Sequence, residues 1–146
     1  MNNIMKQSIN LKVTLTIAAP KSKVWKALIE PEQIKKYFFG TETRSTWNIG
    51  ESITFSGEWE GKPYLDKGTV LQFEPEHRLK YNYWSSFSGT ADVPENYANI
   101  TYQVEEKNGQ TILTVTQDGL ASEEARAHSE QNWLMILNNM KELVER

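Results

Sequence analysis

The stretch that decides the fold runs from Ser122 to Glu145 and reads SEEARAHSEQNWLMILNNMKELVE. Its apolar residues recur at spacings of three and four, which is typical of one face of an amphipathic helix. They are Trp133, Ile136, Leu137, Met140 and Val144. Ser122 is a favourable N-cap, and the two glutamates after it suit the positive end of a helix. The pattern therefore predicts a C-terminal helix of about 24 residues, ~36 Å long.

A strand pattern and two helix patterns come near the start of the chain. Apolar and polar residues alternate from Ile9 to Ile17, which indicates a half-buried strand. Pro20 ends this strand and suits the first turn of a helix that we predict over Lys21–Ile29. A second, shorter helix is predicted over Gln33–Tyr37, and Gly40 follows its end.

Strand patterns separated by turn residues fill the chain from Thr41 to Gly119. Six strands with short connections predict an antiparallel meander, in which the fourth strand of the chain covers Thr69–Phe73. The segment Ser85–Glu95 is too polar and too broken for a strand and is interpreted as a long loop. One face of such a sheet must be buried, and the C-terminal helix is the only element long enough to cover it. We therefore predict an α+β fold in which a strongly twisted sheet wraps this helix and leaves a cavity beside it.

The composition excludes several classes of protein and predicts a single domain over residues 1–146. The chain has no cysteine, which removes thiol catalysis, disulfides and cysteine-ligated zinc. The longest apolar run, residues 133–137, is far shorter than the ~20 residues that cross a membrane. A net charge of −3 argues against a nucleic-acid partner. Residues 1–10 lack the apolar run of a secretion signal, so we expect a cytoplasmic protein. We also expect a monomer or a weak homodimer.

Bulky apolar side chains are predicted to line the cavity. Those on faces that we assign inward are Tyr37, Phe38, Phe55, Trp59, Phe73, Tyr81, Tyr83, Tyr102, Trp133, Ile136, Leu137 and Met140. An apolar cavity with a few tyrosine hydroxyls would hold and orient a hydrophobic or aromatic molecule. The alternative is that these side chains pack the core and leave no room for a ligand.

Titratable residues give weaker signals. His77 lies in a polar turn. His128 follows Glu124 by four residues, so the two side chains form a pair on the helix surface, or His128 lies at the mouth of the cavity. Three carboxylates are interpreted as a solvated cluster around a turn: Glu58, Glu60 and Asp66. Five lysines form a basic patch on the two short helices, either a solvated face or a contact for an acidic partner: Lys21, Lys23, Lys26, Lys35 and Lys36. We predict no catalytic residue, no metal and no cofactor.

Several short motifs, taken in order, carry a family resemblance. They are AP (19–20), VWKAL (24–28), EPE (30–32), GTV (68–70), EP (74–75), RL (78–79), TILTVT (111–116) and DG (118–119), followed by His128 and Trp133. Together they make the chain resemble the activator of Hsp90 ATPase homologue 1-like family, part of the START-like, Bet v 1-like (SRPBCC) helix-grip superfamily. The resemblance covers essentially the whole chain.

The resemblance implies a seven-stranded antiparallel sheet that grips a long C-terminal helix, with two short helices after strand 1 and a hydrophobic cavity. Members of the superfamily bind lipids, polyketides or other hydrophobic molecules, and some are enzymes. Two positions depart from the family pattern: Tyr37 stands where the family usually has Trp, and Asn132 stands where Gly often precedes the helical Trp. Both are expected to alter the shape or the opening of the cavity.

Three functions remain open at this point. The first is binding of a hydrophobic small molecule or lipid, with access controlled by the Ser85–Glu95 loop and the short helices. The second is a protein-interaction module in stress response with a chaperone as partner, as the family name implies. The third is a cyclase or hydratase that uses a Tyr or His as acid. The third would need a buried carboxylate or histidine with a shifted pKa in the cavity, and the sequence places none.

Overall fold

A computed structural model describes residues 9–146. Residues 1–8 of the predicted domain, and with them most of the segment inspected for a secretion signal, lie outside the described residues. The elements follow one another in the predicted order: β1 (Ile9–Ile17), α1 (Lys21–Ile29), α2 (Pro31–Tyr37), β2 (Glu42–Ser45), β3 (Ser52–Trp59), β4 (Lys62–Glu74), β5 (Arg78–Ser85), a 3-10 turn (Pro94–Asn96), β6 (Ala98–Lys107), β7 (Gln110–Leu120) and α3 (Glu123–Glu145).

The seven strands form one sheet in the order β1-β7-β6-β5-β4-β3-β2, and all neighbours are antiparallel. Strands β2 to β7 make the predicted meander. β1 pairs with the last strand, from Ile9 opposite Leu120 to Ile17 opposite Thr111. The face of the sheet that carries the buried residues is called the inner face below. This arrangement confirms the predicted helix-grip architecture.

α3 packs on the inner face of the sheet as predicted. It begins after Ser122, whose Oγ accepts a hydrogen bond from the backbone N–H of Ala125 at 3.0 Å. The predicted apolar stripe is its buried side: Trp133, Ile136, Leu137, Met140 and Val144. Each fully buried apolar side chain contributes about 1.5–3 kcal/mol, so packing on the sheet stabilises this helix more than its intrinsic propensity does. No helix in the described part of the chain has the length and apolar character needed to cross a bilayer.

β4 is longer than predicted. It covers Lys62–Glu74 rather than Thr69–Phe73 and contains an irregularity between Val70 and Gln72. Polar residues and Pro63 interrupt the alternation in its first half, and this is why the sequence pattern indicated only the second half. Pro63 lacks a backbone N–H but is tolerated because β5 does not reach this part of β4.

The β3–β4 hairpin therefore projects beyond β5, because the last β4–β5 pair is Asp66 opposite Ser85. Glu60 and Gly61 close it with φ angles of 50° and 78°, which two-residue hairpin turns require. Trp59 was predicted to be inward and buried, and this is wrong in its second part: the residue shares the face of Phe55, but 53% of its surface is exposed. No helix covers the sheet at this tip among the described residues.

Two smaller predictions also have outcomes. The predicted loop over Ser85–Glu95 is confirmed in outline, since β5 ends at Ser85 and β6 begins at Ala98, with only the short 3-10 turn between them. The second helix begins at Pro31, two residues before the predicted start, because proline suits the first position of a helix.

Candidate functional site

A small, partly open chamber lies under α1 and α2, against the inner face of β3, β5 and β6. Its lining combines five predicted residues, namely Tyr37, Phe38, Phe55, Tyr81 and Tyr102, with five others, namely Leu28, Ile34, Trp47, Ile53 and Leu79. The chamber has a free volume of about 10 Å³. This is room for about one water molecule, so no organic ligand fits the chamber in this conformation.

The chamber differs from the expected cavity between the sheet and the C-terminal helix, because it lies under α1 and α2 and is small. Trp133 packs edge-on against Tyr102, with ring centroids 5.9 Å apart, and its indole N–H donates to Gln117 Oε1 at 2.8 Å. Ile136, Leu137 and Met140 are buried in the core and do not line the chamber. The expectation considered only the sheet and one helix. In the structure, α1, α2 and the aromatic rings fill the remaining space.

The tyrosine hydroxyls are the polar groups of the chamber lining. The Tyr37 hydroxyl donates a hydrogen bond to the backbone carbonyl of Ala27 at 2.8 Å, so its one O–H group has a partner. Tyr81 and Tyr102 contact each other through their hydroxyl oxygens at 3.4 Å, a distance beyond the usual range of an O–H···O bond. Burial raises the pKa of Tyr102 to about 12 and raises the pKa values of Tyr37 and Tyr81 well above 10. All three hydroxyls therefore stay neutral at physiological pH.

A carboxylate sits at the edge of this aromatic region. Asp66, interpreted from the sequence as solvated, is half-buried on β4 directly opposite Phe55. It accepts hydrogen bonds from the Tyr83 hydroxyl at 2.7 Å and from the backbone N–H of Ser86 at 3.3 Å. Burial and then the charge of Asp66 raise the pKa of Tyr83. The interpretation of Asp66 as solvated is thus corrected, because the longer β4 carries it away from the turn and onto the inner face.

Two residues of this region, Trp47 and Thr43, lie in segments without a periodic pattern. Trp47 lines the chamber from the loop before β3 and stacks on Phe73 at 6.1 Å. Phe73 also contacts Trp25 at 5.5 Å and so belongs to this second aromatic cluster rather than to the chamber. Thr43 is 3% exposed and lies opposite Phe55, and its hydroxyl has no hydrogen-bond partner among residues 9–146. A loop residue and a short edge strand give no periodic signal from which either role could be inferred.

The other predicted polar features lie on the surface. His77, His128 and Glu124 are exposed, and the carboxylates of Glu58 and Glu60 are exposed at the hairpin tip. Within the described range, no three acidic or histidine side chains come together as a metal site requires.

The basic patch is partly neutralised. Lys35 forms an ion pair with Glu42 at 2.7 Å, and the ammonium of Lys23 donates to the backbone carbonyl of Arg146 at 3.1 Å. Two of the five lysines are therefore occupied by partners within the chain. Asn132, at which the chain departs from the family pattern, is exposed on α3 and does not contact the chamber.

Comparison with known proteins places these features in a family. The model of the family described as activator of Hsp90 ATPase homolog 1-like protein matches residues 18–145. The solution structure of ChR145 from Cytophaga hutchinsonii is 41% identical over 94% of each chain, with a TM-score of 0.83. A search of curated proteins found no match.

Two more distant structures share the fold alone. CalU16 from Micromonospora echinospora is 19% identical, with a TM-score of 0.75 over 94% of this chain and 76% of its own. The Aha1 dimer from Colwellia psychrerythraea is 18% identical, with a TM-score of 0.74 over 94% of this chain and 96% of its own.

Proposed function

Because the chain belongs to the activator of Hsp90 ATPase homolog 1-like family, we propose that it binds a small hydrophobic or aromatic molecule in the chamber under α2. One observation carries the proposal: the fully buried hydroxyls of Tyr81 and Tyr102 share a single long contact inside an apolar chamber. Two O–H donors and one weak bond leave at least one donor unsatisfied, which costs about 1–3 kcal/mol in a buried site. A ligand carbonyl, ether or hydroxyl oxygen would recover that energy.

The chamber must open before such a ligand fits. A dry apolar cavity binds benzene when its volume is about 150 Å³, far above the free volume here. Phe38 is the movable part of the lining, since it is half-buried at the end of α2 and stacks on Phe55 at 6.3 Å. The two residues after it, Phe39 and Gly40, have left-handed φ angles of 53° and 74°. A change of backbone conformation over 38–40 would swing this ring out while every β-strand stays paired.

The test is a titration with 2-naphthol, a planar aromatic molecule with one hydroxyl, followed by ¹H–¹⁵N NMR. We expect saturable shifts confined to α2, the segment 38–40 and the chamber side of β3, β5 and β6. Tyr81→Phe removes a hydroxyl and should weaken binding roughly tenfold, which corresponds to one hydrogen bond of ~1.4 kcal/mol. Tyr97→Phe is the matched control, because the Tyr97 hydroxyl bonds Asp92 on the surface at 2.6 Å.

Unsaturable shifts scattered over the surface would overturn the proposal. Equal affinities of the Tyr81 and Tyr97 variants would also overturn it, since the buried hydroxyls would then take no part in binding. Phe38→Ala should increase the rate of association by removing the ring that closes the chamber. Because it leaves the two hydroxyls in place, it separates access from recognition.

We propose as a second function contact with the chaperone Hsp90, which the family description names, and we place this contact in a stress response in the cytoplasm. Lys26 and Lys36 are the exposed lysines of the short helices whose ammonium groups have neither an ion pair nor a hydrogen bond among the described residues. A pull-down with purified Hsp90 tests this function. Recovery that disappears in a Lys26→Glu plus Lys36→Glu variant would support contact through this surface, and the absence of recovery with the unmodified protein would refute it.

A further inference from the structure

Three exposed aromatic rings gather at the projecting end of the β3–β4 hairpin. Phe39, Trp59 and Phe87 are 46%, 53% and 50% exposed, and Tyr64 on the same hairpin is half-buried. Phe39 contacts Trp59 edge-on with centroids 6.0 Å apart, and Phe87 contacts Tyr64 at 5.6 Å. Tyr64 lies opposite Gly57, two residues along β4 from the partner of Trp59, and therefore on the same face of the hairpin as Trp59. We call these four residues the aromatic tip.

The rings of the aromatic tip are held in place by the chain beneath them. Gly57 has no side chain, and the Tyr64 ring lies over it, so that a Cβ there would come within 2.8 Å of the Tyr64 hydroxyl. That hydroxyl shares a 2.6 Å hydrogen bond with the buried hydroxyl of Thr41. Phe39 is presented by a left-handed backbone, φ 53°, which is uncommon for a bulky residue. The contacts with Gly57 and Thr41 therefore fix the position of the Tyr64 ring within the tip.

The area of the tip decides what kind of partner it fits. An aromatic side chain has about 150–250 Å² of surface, so three half-exposed rings present roughly 300 Å². A stable protein interface buries ~800 Å² on each partner, which makes the tip too small for a second copy of the chain or another folded protein. A lipid interface needs no complementary partner surface, and reversible binding to it strengthens with the apolar area that is inserted.

The charges around the tip select the kind of lipid. Lys36 and Lys62 are balanced by Glu58 and Glu60, and all four residues are exposed. A surface without net charge gains little from an anionic membrane. Trp and Tyr side chains are favoured at the level of phospholipid headgroups. We propose that the aromatic tip docks the protein on a zwitterionic phospholipid bilayer by inserting Phe39, Trp59 and Phe87 into its interfacial region.

The tip is also continuous with the chamber. Phe39 contacts Phe38 at 6.2 Å, and Phe38 stacks on Phe55 in the chamber wall. A bilayer contact at Phe39 would thus act on the segment that closes the chamber. The docking itself does not depend on the proposed ligand binding, because it uses only exposed residues.

Co-flotation with phosphatidylcholine vesicles tests the docking. We expect the unmodified protein to float with the vesicles and to do so equally in low salt and in ~1 M NaCl, where charges are screened beyond about 3 Å. A Phe39→Ala plus Trp59→Ala variant should lose at least roughly tenfold in partitioning, because most of the inserted apolar area is removed. Because both side chains are also about half buried, the variant should melt at a lower temperature, and the flotation is compared at a temperature at which circular dichroism shows both proteins folded.

The matched control is Ile49→Ala plus Met135→Ala, which removes two apolar side chains that are 65% and 52% exposed away from the tip. It should float like the unmodified protein, and so should Tyr81→Phe, which affects only the chamber. The proposal is overturned if the unmodified protein does not float or if the tip and control variants float equally. It is also overturned if binding requires phosphatidylglycerol and disappears at high salt, or if the tip variant converts a dimer into a monomer in analytical ultracentrifugation.

Discussion

Replacing Gly68 by alanine should damage the sheet more than any other single added methyl group on the inner face. Gly68 is buried on β4 opposite Ile53, and the backbone of Asn82 on β5 passes directly over it. A Cβ at this position would lie 2.6 Å from the carbonyl carbon of Asn82 and closer still to its oxygen. Because the obstacle is backbone, β4 and β5 must move apart to relieve the clash.

The magnitude follows from two contributions. Overpacking of a well-packed interior costs about 1–3 kcal/mol, and the upper end applies when backbone must move. Separation of the strands also strains the 2.7 Å bond from Thr69 N–H to Asn82 Oδ1, which contributes about 1 kcal/mol. A loss of about 3–4 kcal/mol should lower the melting temperature by about 10 °C in a domain of this size. Calorimetry or thermal circular dichroism measures this shift.

Gly57→Ala is the control, since the atoms nearest to its added Cβ all belong to the side chain of Tyr64, whose hydroxyl at 2.8 Å can shift by giving up its hydrogen bond to Thr41. Its free energy of unfolding should fall by only about 1 kcal/mol, the contribution of that bond. Melting temperatures of the two variants within about 2 °C of each other would refute the reasoning, because the clash with the Asn82 backbone would then carry no energy.

Four further substitutions should change stability in defined directions. Thr43→Val should raise the free energy of unfolding by about 1 kcal/mol, because it removes a buried hydroxyl that has no partner among the described residues. Thr111→Val should lower it by at least ~1 kcal/mol, because the Thr111 hydroxyl donates to the buried carbonyl of Ala19 at 2.7 Å. Equal effects of the two substitutions in urea titrations would contradict this reasoning. Ser122→Ala removes the N-cap of α3 and should cost about 1 kcal/mol with an unchanged m-value. The hydrogen bond from Ala18 N–H lowers the pKa of Glu145, so its stabilisation is complete above pH 4.5 and disappears as the pH falls through the lowered pKa. Glu145→Gln should therefore be less stable than the unmodified protein at pH 7 and equally stable at pH 2, and a constant difference would refute the assignment.

The elements with long, regular patterns could be predicted from the sequence. The alternation over Ile9–Ile17 and the stripe from Trp133 to Val144 each extend over many residues, and each gave the correct element and the correct buried face. Alternation along β3 likewise assigned Trp59 to the correct face. It could not show that the hairpin projects beyond its cover, since exposure depends on where neighbouring elements end.

The chamber could be predicted only in part. Tyr81 and Tyr102 were identified because strand parity places them inward, but the volume between them depends on every side chain that packs there. Trp47 reaches the chamber from a loop and follows no period, and Asp66 was misplaced because the start of β4 was not recognised. The volume and lining of the chamber depend on several distant segments together, so the residue pattern of one segment cannot predict them.

The pairing of β1 with β7 has a consequence for synthesis on the ribosome. Ile17 lies opposite Thr111, so the strand that emerges early must wait for almost a hundred further residues before its partner exists. At about 5–20 residues per second this interval lasts roughly 5–20 seconds. During that time the unpaired apolar side chains and backbone of β1 are exposed to other nascent chains. They become covered only when β7 has left the exit tunnel and pairs with β1.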